Sequence, residues 1–149
     1  MMSRSYLLIR FDVKNRYNKV EETPRNRKIH QTMKSDIIGK TVTVTVDRPL
    51  GSHHPVYKEL CYPVNCGYVE GVMAPDGEEQ DAYILGVDTP VEVFTGKVVA
   101  VICRKDDVED KWVVCPVDRC FTREEIMEQV KFQEQYFESE IILDMDVKR

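Results

Sequence analysis

The clearest pattern in the chain is Thr41-Val-Thr-Val-Thr-Val-Asp47, where valine and threonine alternate residue by residue. Period-two alternation puts the valines on one face and the threonines on the other, and β-branched side chains suit a pleated surface, so the stretch predicts a strand. Arg48-Pro-Leu-Gly51 ends it, and residues 52–59 follow as a loop. Tyr62-Pro-Val-Asn-Cys-Gly-Tyr68 is rich in proline, asparagine and glycine, which predicts a tightly turned segment rather than a strand interior. In Ala74-Pro-Asp-Gly77, Pro75 presets φ, Asp76 can bond its own backbone and Gly77 lifts the steric limit, so a turn is predicted there. Ala82-Tyr-Ile-Leu-Gly-Val87 is apolar on both faces and predicts a central strand. Residues 88–96 turn, and 97–103 form another strand whose hairpin partner is Trp112-Val-Val-Cys115, stopped by Pro116.

The period then changes. Thr122-Arg-Glu-Glu125 has the form of a capping box, and Ile126, Val130 and Phe137 recur at helical spacing with Met127 on the flank. A helix of about four turns is predicted. Glu140-Ile-Ile-Leu143 is short and apolar, and predicts a last edge strand. Several strands followed by one packed helix describe an α+β domain, most simply a small closed, OB-like β-barrel with a C-terminal helix against it. Residues 1–36 show neither period and read as a basic, disordered N-terminal extension, leaving 37–149 as the domain.

Composition narrows the function classes. The chain has 149 residues, 42% apolar and 32% charged, which is one ordinary globular domain with enough length for a core. No apolar run reaches the ~18 residues of a membrane span, and residues 6–9 are too short an apolar run for a secretory signal, so a cytoplasmic location is expected. The five cysteines, at 61, 66, 103, 115 and 120, are odd in number, against a disulfide framework. The pairs Cys61/Cys66 and Cys115/Cys120 are spaced at the loose end of what zinc ligands use. Cys103 and Cys115 in apolar runs read as small hydrophobes. Residues 1–36 hold nine Lys and Arg against four acids, net +5, so the rest of a chain totalling −5 carries −10. A body that acidic is unsuited to nucleic acid, which needs a basic footprint, and suits a protein that collects divalent cations.

The acids are clustered. Asp76, Glu78 and Asp81 fall within six positions, and Asp106-Asp107-Val-Glu109-Asp110-Lys111 forms a second cluster about one hairpin downstream. Taken alone, the first describes an exposed acidic hairpin tip. Two such loops change the balance, because carboxylates held close repel unless a cation or a shared proton lies between them. Carboxylate oxygens favour Mg²⁺, which keeps several waters and bridges to substrate phosphates. Lys111 and Tyr62 add donors for phosphate oxygens. The inventory points to phosphoryl-transfer chemistry.

The sequence resembles the soluble, magnesium-dependent β-barrel inorganic pyrophosphatases over roughly residues 41–138. YPVNCGYVEGVMAPDGEEQD is similar to that family's Tyr-Pro-x-Asn-Tyr-Gly-Tyr followed by Asp-Gly-Asp-Pro-x-Asp. DRPLGS is similar to its Glu-Ile-Pro-x-Gly-Ser strand end, and DDVEDKWVV to a shortened Asp-Glu-Gly-Glu-x-Asp-x-Lys loop. The resemblance implies hydrolysis of pyrophosphate to two phosphates by a Mg²⁺-activated water. It implies metal ligation by Asp76, Asp81, Asp106 and one of Glu109 and Asp110, with Asp110 slightly preferred. Glu78 would orient and deprotonate the water; Lys111, Tyr62 and Tyr136 would bind substrate; Asp47 would stand in place of a glutamate. Self-association is expected by resemblance only.

The chain departs from the pattern in other places too. Glu78 is one methylene longer than the family aspartate, and a group misplaced by ~1 Å can cost about a hundredfold in rate. Cys66 replaces a phosphate-binding tyrosine and Phe137 a lysine. Between Asp47 and Tyr62 the chain omits a hairpin that brings a lysine, a glutamate and an arginine to the substrate. Arg48, His53, His54 and Lys58 are the nearby groups of suitable charge type, Arg48 and Lys58 first among them. Two other readings follow from that omission: a Mg²⁺-dependent hydrolase of another phosphoanhydride or nucleotide, and a non-catalytic barrel that binds metal and phosphate.

Overall fold

The computed structural model describes residues 36–74, 77–105 and 110–146. The predicted extension therefore lies outside the described residues, save Asp36. The elements run β1 (Thr41–Arg48), β2 (Asn65–Met73), β3 (Glu79–Ile84), β4 (Val93–Arg104), β5 (Asp110–Cys115), α1 (Arg123–Glu134), β6 (Ser139–Leu143) and a 3-10 turn, Asp144–Asp146. Strand pairing runs β1-β2-β3-β5-β4, and β4 pairs back to β1, so five strands close into a barrel. All these pairings are antiparallel except β3 with β5. β6 adds to the edge of β4. None of the helices among the described residues is long and apolar enough to cross a membrane.

β4 makes closure possible because its 12 residues serve several neighbours. Val93 to Lys97 pair with β1, while Ala100 to Arg104 pair with β6 and Lys97 to Cys103 with β5. Its register slips between Val98 and Ala100. Such a bulge bends and twists the strand. On either side of it Val98 and Val101 join the barrel interior, whereas Ala100 and Ile102 join the outer layer.

Two apolar layers result. Inside the barrel, Val44, Val69, Ile84, Val98, Trp112 and Val114 pack together, so Trp112 is core. The valine stripe of β1 turns inward as its alternation predicts, and on the other face Thr43 and Thr95 share a hydroxyl–hydroxyl bond of 2.8 Å. Outside, Tyr83, Ala100, Ile102 and Val113 pack against Ile126 and Val130 of α1 and Ile141 and Leu143 of β6. The capping box forms as read: Glu125 N–H donates to Thr122 Oγ1 at 3.1 Å, and Thr122 N–H to Glu125 Oε1 at 3.0 Å. The helix ends earlier than its pattern predicts, at Glu134, and Phe137 is buried beyond it under the Arg104 guanidinium, 3.7 Å from the ring centroid.

The largest difference from the sequence reading is at Tyr62–Tyr68. The predicted turn is instead the start of β2 from Asn65 onward. Gly67 marks a close crossing of two strands: a Cβ there would lie 2.0 Å from Thr45 O. Asn65 is fully buried and clamps two loops, accepting from Leu50 N–H (2.9 Å) and Val91 N–H (3.2 Å) and donating to Thr89 O (2.9 Å). β4 likewise begins before the predicted turn is over, at Val93, and within it Gly96 lets Cys115 O approach to 2.4 Å of where a Cβ would sit. All five cysteines are free thiols.

Candidate active site

β3 and β5 run side by side in the same direction, Ala82 opposite Trp112. Asp81 and Lys111 each precede that pair by one residue. Alternation sends both to the outer face shared by Tyr83 and Val113. There Lys111 Nζ donates to Asp81 Oδ2 at 2.8 Å, and the Lys111 side chain is 12% exposed, the Asp81 side chain 39%. Parallel pairing has brought together two groups thirty residues apart in sequence.

β1 and β2 supply the neighbouring groups. Their register steps from Val46–Gly67 to Arg48–Cys66, so Asp47 is the extra residue of a bulge. Arg48 beyond it donates through Nη1 to Asp47 O at 3.1 Å, and its charge acts on the Tyr62 phenol. Tyr62 is buried, with its ring edge-on to Phe132 at 5.5 Å. Burial raises the Tyr62 phenol, with Cys66 adding, against the opposing pull of Arg48 and Lys111. At neutral pH its hydroxyl is therefore a donor.

Cys66 sits where these groups converge. Burial pushes its thiol far up; Lys111 opposes this, and Asp47, Asp81 and Glu134 add to it. A thiol kept protonated is a poor nucleophile. Cys61, its sequence partner in the zinc spacing, is exposed while Cys66 is buried. Two of the carboxylates whose charges act on Cys66, Asp47 and Asp81, offer oxygen donors of the kind a hard divalent cation takes. Among the described residues no group of three or more His, Cys, Asp and Glu converges on a metal position.

Asp76, Asp106 and Glu109 lie outside the described residues. Glu78 is exposed, one residue before β3 and three before Asp81. Asp110 is brought elsewhere: it is 4% exposed, opposite Cys103, and two residues before inward-facing Trp112, so it takes the face opposite to Lys111. Tyr136, half-buried past the end of α1, packs with Tyr57 and Phe132 around Leu60 and Phe137. Phe132 joins that cluster to Tyr62. Lys58 is exposed on the adjoining loop, its carbonyl 2.9 Å from His53 Nδ1. His54 Nδ1 accepts from Val56 and Tyr57 N–H at 3.1 and 3.0 Å, so both histidines bond the backbone of their own loop.

Sequence reasoning missed the group behind the site. Glu134 is buried at the C-terminal end of α1 and takes four bonds. Arg104 Nη2 and Tyr83 Oη donate to its Oε2 at 2.7 and 2.6 Å, and Arg104 Nε and Ser139 Oγ to its Oε1 at 3.1 and 2.6 Å. Burial alone would raise this carboxyl; the Arg104 charge and the donated bonds outweigh it and hold it below its ordinary value. The signal was in the helix: Glu134 continues the stripe of Ile126 and Val130 at steps of four, a charge on an apolar face.

No family model matches the sequence, and no curated protein is similar to it. Solved structures do match. An inorganic pyrophosphatase from Ehrlichia chaffeensis superposes with a TM-score of 0.57 at 21% identity, over 72% of this chain and 88% of that one. One from Coxiella burnetii gives 0.55 at 16% identity, over 74% and 90%. One from Helicobacter pylori gives 0.54 at 15% identity, over 84% and 88%. At such identities the likeness establishes the fold: this chain is built on the same five-stranded barrel with a C-terminal helix.

Proposed function

We propose that the protein hydrolyses inorganic pyrophosphate to two phosphates with the help of divalent cations, Mg²⁺ first among them. The observation that carries the reading is the Lys111–Asp81 pair on the outer barrel wall beside Arg48 and Tyr62, a cation and a carboxylate held together at a partly open surface. The shared fold supports it.

Asp81 would hold the cation, with Asp76, Asp106 and Glu109 as the further oxygen donors. A cation bound there supplies charge neutralisation for the two phosphates and a water acidified toward neutrality. The chain's own groups do the rest. Lys111, already set by Asp81, donates to a phosphate oxygen, and Arg48 and the neutral Tyr62 hydroxyl donate to others. Tyr136 borders the same surface through Phe132 and Tyr62. Glu78 takes the proton of the attacking water as its oxygen bonds to phosphorus and the bridging P–O bond breaks. Fixed donors of this kind act by being in place before charge develops.

The test is a pair of variants assayed on a substrate panel of pyrophosphate, triphosphate and nucleoside triphosphates. Lys111→Gln and Asp81→Asn are expected to lower kcat/KM for pyrophosphate by on the order of a hundredfold or more, as losses of a fixed charged contact do. Wild-type rates on both variants, or a panel in which pyrophosphate is the poorest substrate, would reject the reading.

A further inference from the structure

Lys111 is held from two sides. Asp81 bonds its ammonium at 2.8 Å, and the ring of Tyr83 lies beneath it, with Nζ 5.9 Å from the centroid. That separation is within the ~6 Å over which an aromatic face attracts a cation. Tyr83 itself is 1% exposed, and its hydroxyl is tied to Glu134 at 2.6 Å. Glu134 is in turn gripped through both oxygens by Arg104 and through Oε1 by Ser139. Phe132 stands edge-on to both Tyr83 (6.0 Å) and Tyr62 (5.5 Å), so the same ring borders the other phosphate donor. Four separate elements, β3, β4, α1 and β6, thus converge on one carboxylate directly behind the candidate site.

We propose that Glu134, acting through Tyr83, is a positioning residue that sets the Lys111 ammonium for phosphate. It touches no substrate. A buried ion pair by itself is a poor source of stability, because both charges lose their water. Here both carboxylate oxygens are satisfied, and the bond to Tyr83 fixes the tilt of a ring that faces Lys111. Groups one shell behind a functional side chain work in this way, by removing the alternatives open to it.

The inference rests on the proposed hydrolysis for its kinetic test but not for its geometric one. Glu134→Gln leaves Arg104 buried without its counter-charge and risks the fold, so the deciding variants are Tyr83→Phe and Ser139→Ala. Each removes one hydroxyl and leaves the ion pair. In Tyr83→Phe the KM for the magnesium complex of pyrophosphate should rise on the order of tenfold, with kcat within about twofold, as for other outer-shell partners. In a Lys111→Gln background the same change should add less than about twofold, because its effect runs through Lys111. Equal effects in the two backgrounds would overturn the proposal, as would a fall confined to kcat. Competitive amine labelling with acetic anhydride, read by mass spectrometry on the intact protein, needs no turnover. Labelling of Lys111 relative to exposed Lys58 should rise in Tyr83→Phe and Ser139→Ala. An unchanged ratio overturns the positioning role whether or not the wild type hydrolyses pyrophosphate; a raised ratio in a protein without that activity sinks the functional reading and keeps this one.

Discussion

Replacing Gly67 by alanine would test how tightly the barrel and the candidate site are joined. The added Cβ would fall 2.0 Å from Thr45 O, 2.8 Å from Thr45 C and 2.8 Å from Val46 Cα. A carbon and a carbonyl oxygen need ~3.2 Å, so β1 must retreat by about 1.2 Å from a partner normally ~4.8 Å away. Relief by a swinging side chain is closed off, because the three nearest atoms are all backbone. Displacement of that size stretches the ladder bonds on both sides of the Asp47 bulge, and the cost belongs at the upper end of overpacking, about 3 kcal/mol. That is a large part of the ~5–15 kcal/mol that holds a domain of this size together. Urea unfolding should show a lower midpoint at unchanged slope, and thermal unfolding should fall by about 10 °C or more. Since Asp47 and Arg48 ride on the displaced strand, pyrophosphate turnover at a temperature where the variant is folded should fall as well. Gly77→Ala is the control: its φ of 85° strains any side chain, but nothing lies within 4 Å of the new Cβ. The control should lose only about 1 kcal/mol. Equal losses in the two variants would refute the steric argument.

Thr122→Ala removes the acceptor for Glu125 N–H and should lower stability by about 1 kcal/mol in urea unfolding, without altering activity; no change would mean the capping box contributes nothing. Alkaline pH should destabilise the protein. Burial raises the Cys66 thiol from 9.0 and the Tyr83 phenol from 10.0, and Tyr62 is raised too, so the unfolded chain releases protons that the folded chain keeps. Stability from these groups is intact below pH 9 and declines as pH climbs toward the folded values, by about 1.4 kcal/mol per pH unit for each group in play. Cys66→Ala should make the decline shallower, and a flat profile to pH 10.5 would contradict the burial assigned to these side chains. Glu134 works at the other end: its carboxyl is held below 4.5, so its contribution is present above that value and is lost as pH falls through the folded one. Acid unfolding should therefore begin earlier in Ser139→Ala, which removes one of the bonds that lower it.

What the sequence made legible is what short-range pattern controls. The valine stripe of β1, the β4–β5 hairpin and the Thr122 capping box each depend on residues a few positions apart, and each is where the pattern put it. The closing pair β1–β4 and the parallel pair β3–β5 join segments some thirty to fifty residues apart, and no local period encodes them. The same distance hid the geometry of the site. Asp81 and Lys111 were visible as candidates, but their bond exists only because two parallel strands start level. Gly67 misled because glycine serves both turns and close backbone crossings, and composition does not separate the two uses. Asp110 shows the reverse: alternation from Trp112 sends it to the barrel side, a distinction that an acidic run alone does not carry. Glu134 was passed over because a helical stripe was followed through its apolar members only.

The most direct measurement of the central claim is the initial rate of phosphate release from pyrophosphate by the purified full-length chain, with saturating Mg²⁺ and again in excess chelator. The account predicts turnover with the cation and none above the uncatalysed background once it is removed. Release that is equally fast in both conditions, or absent in both, would contradict it.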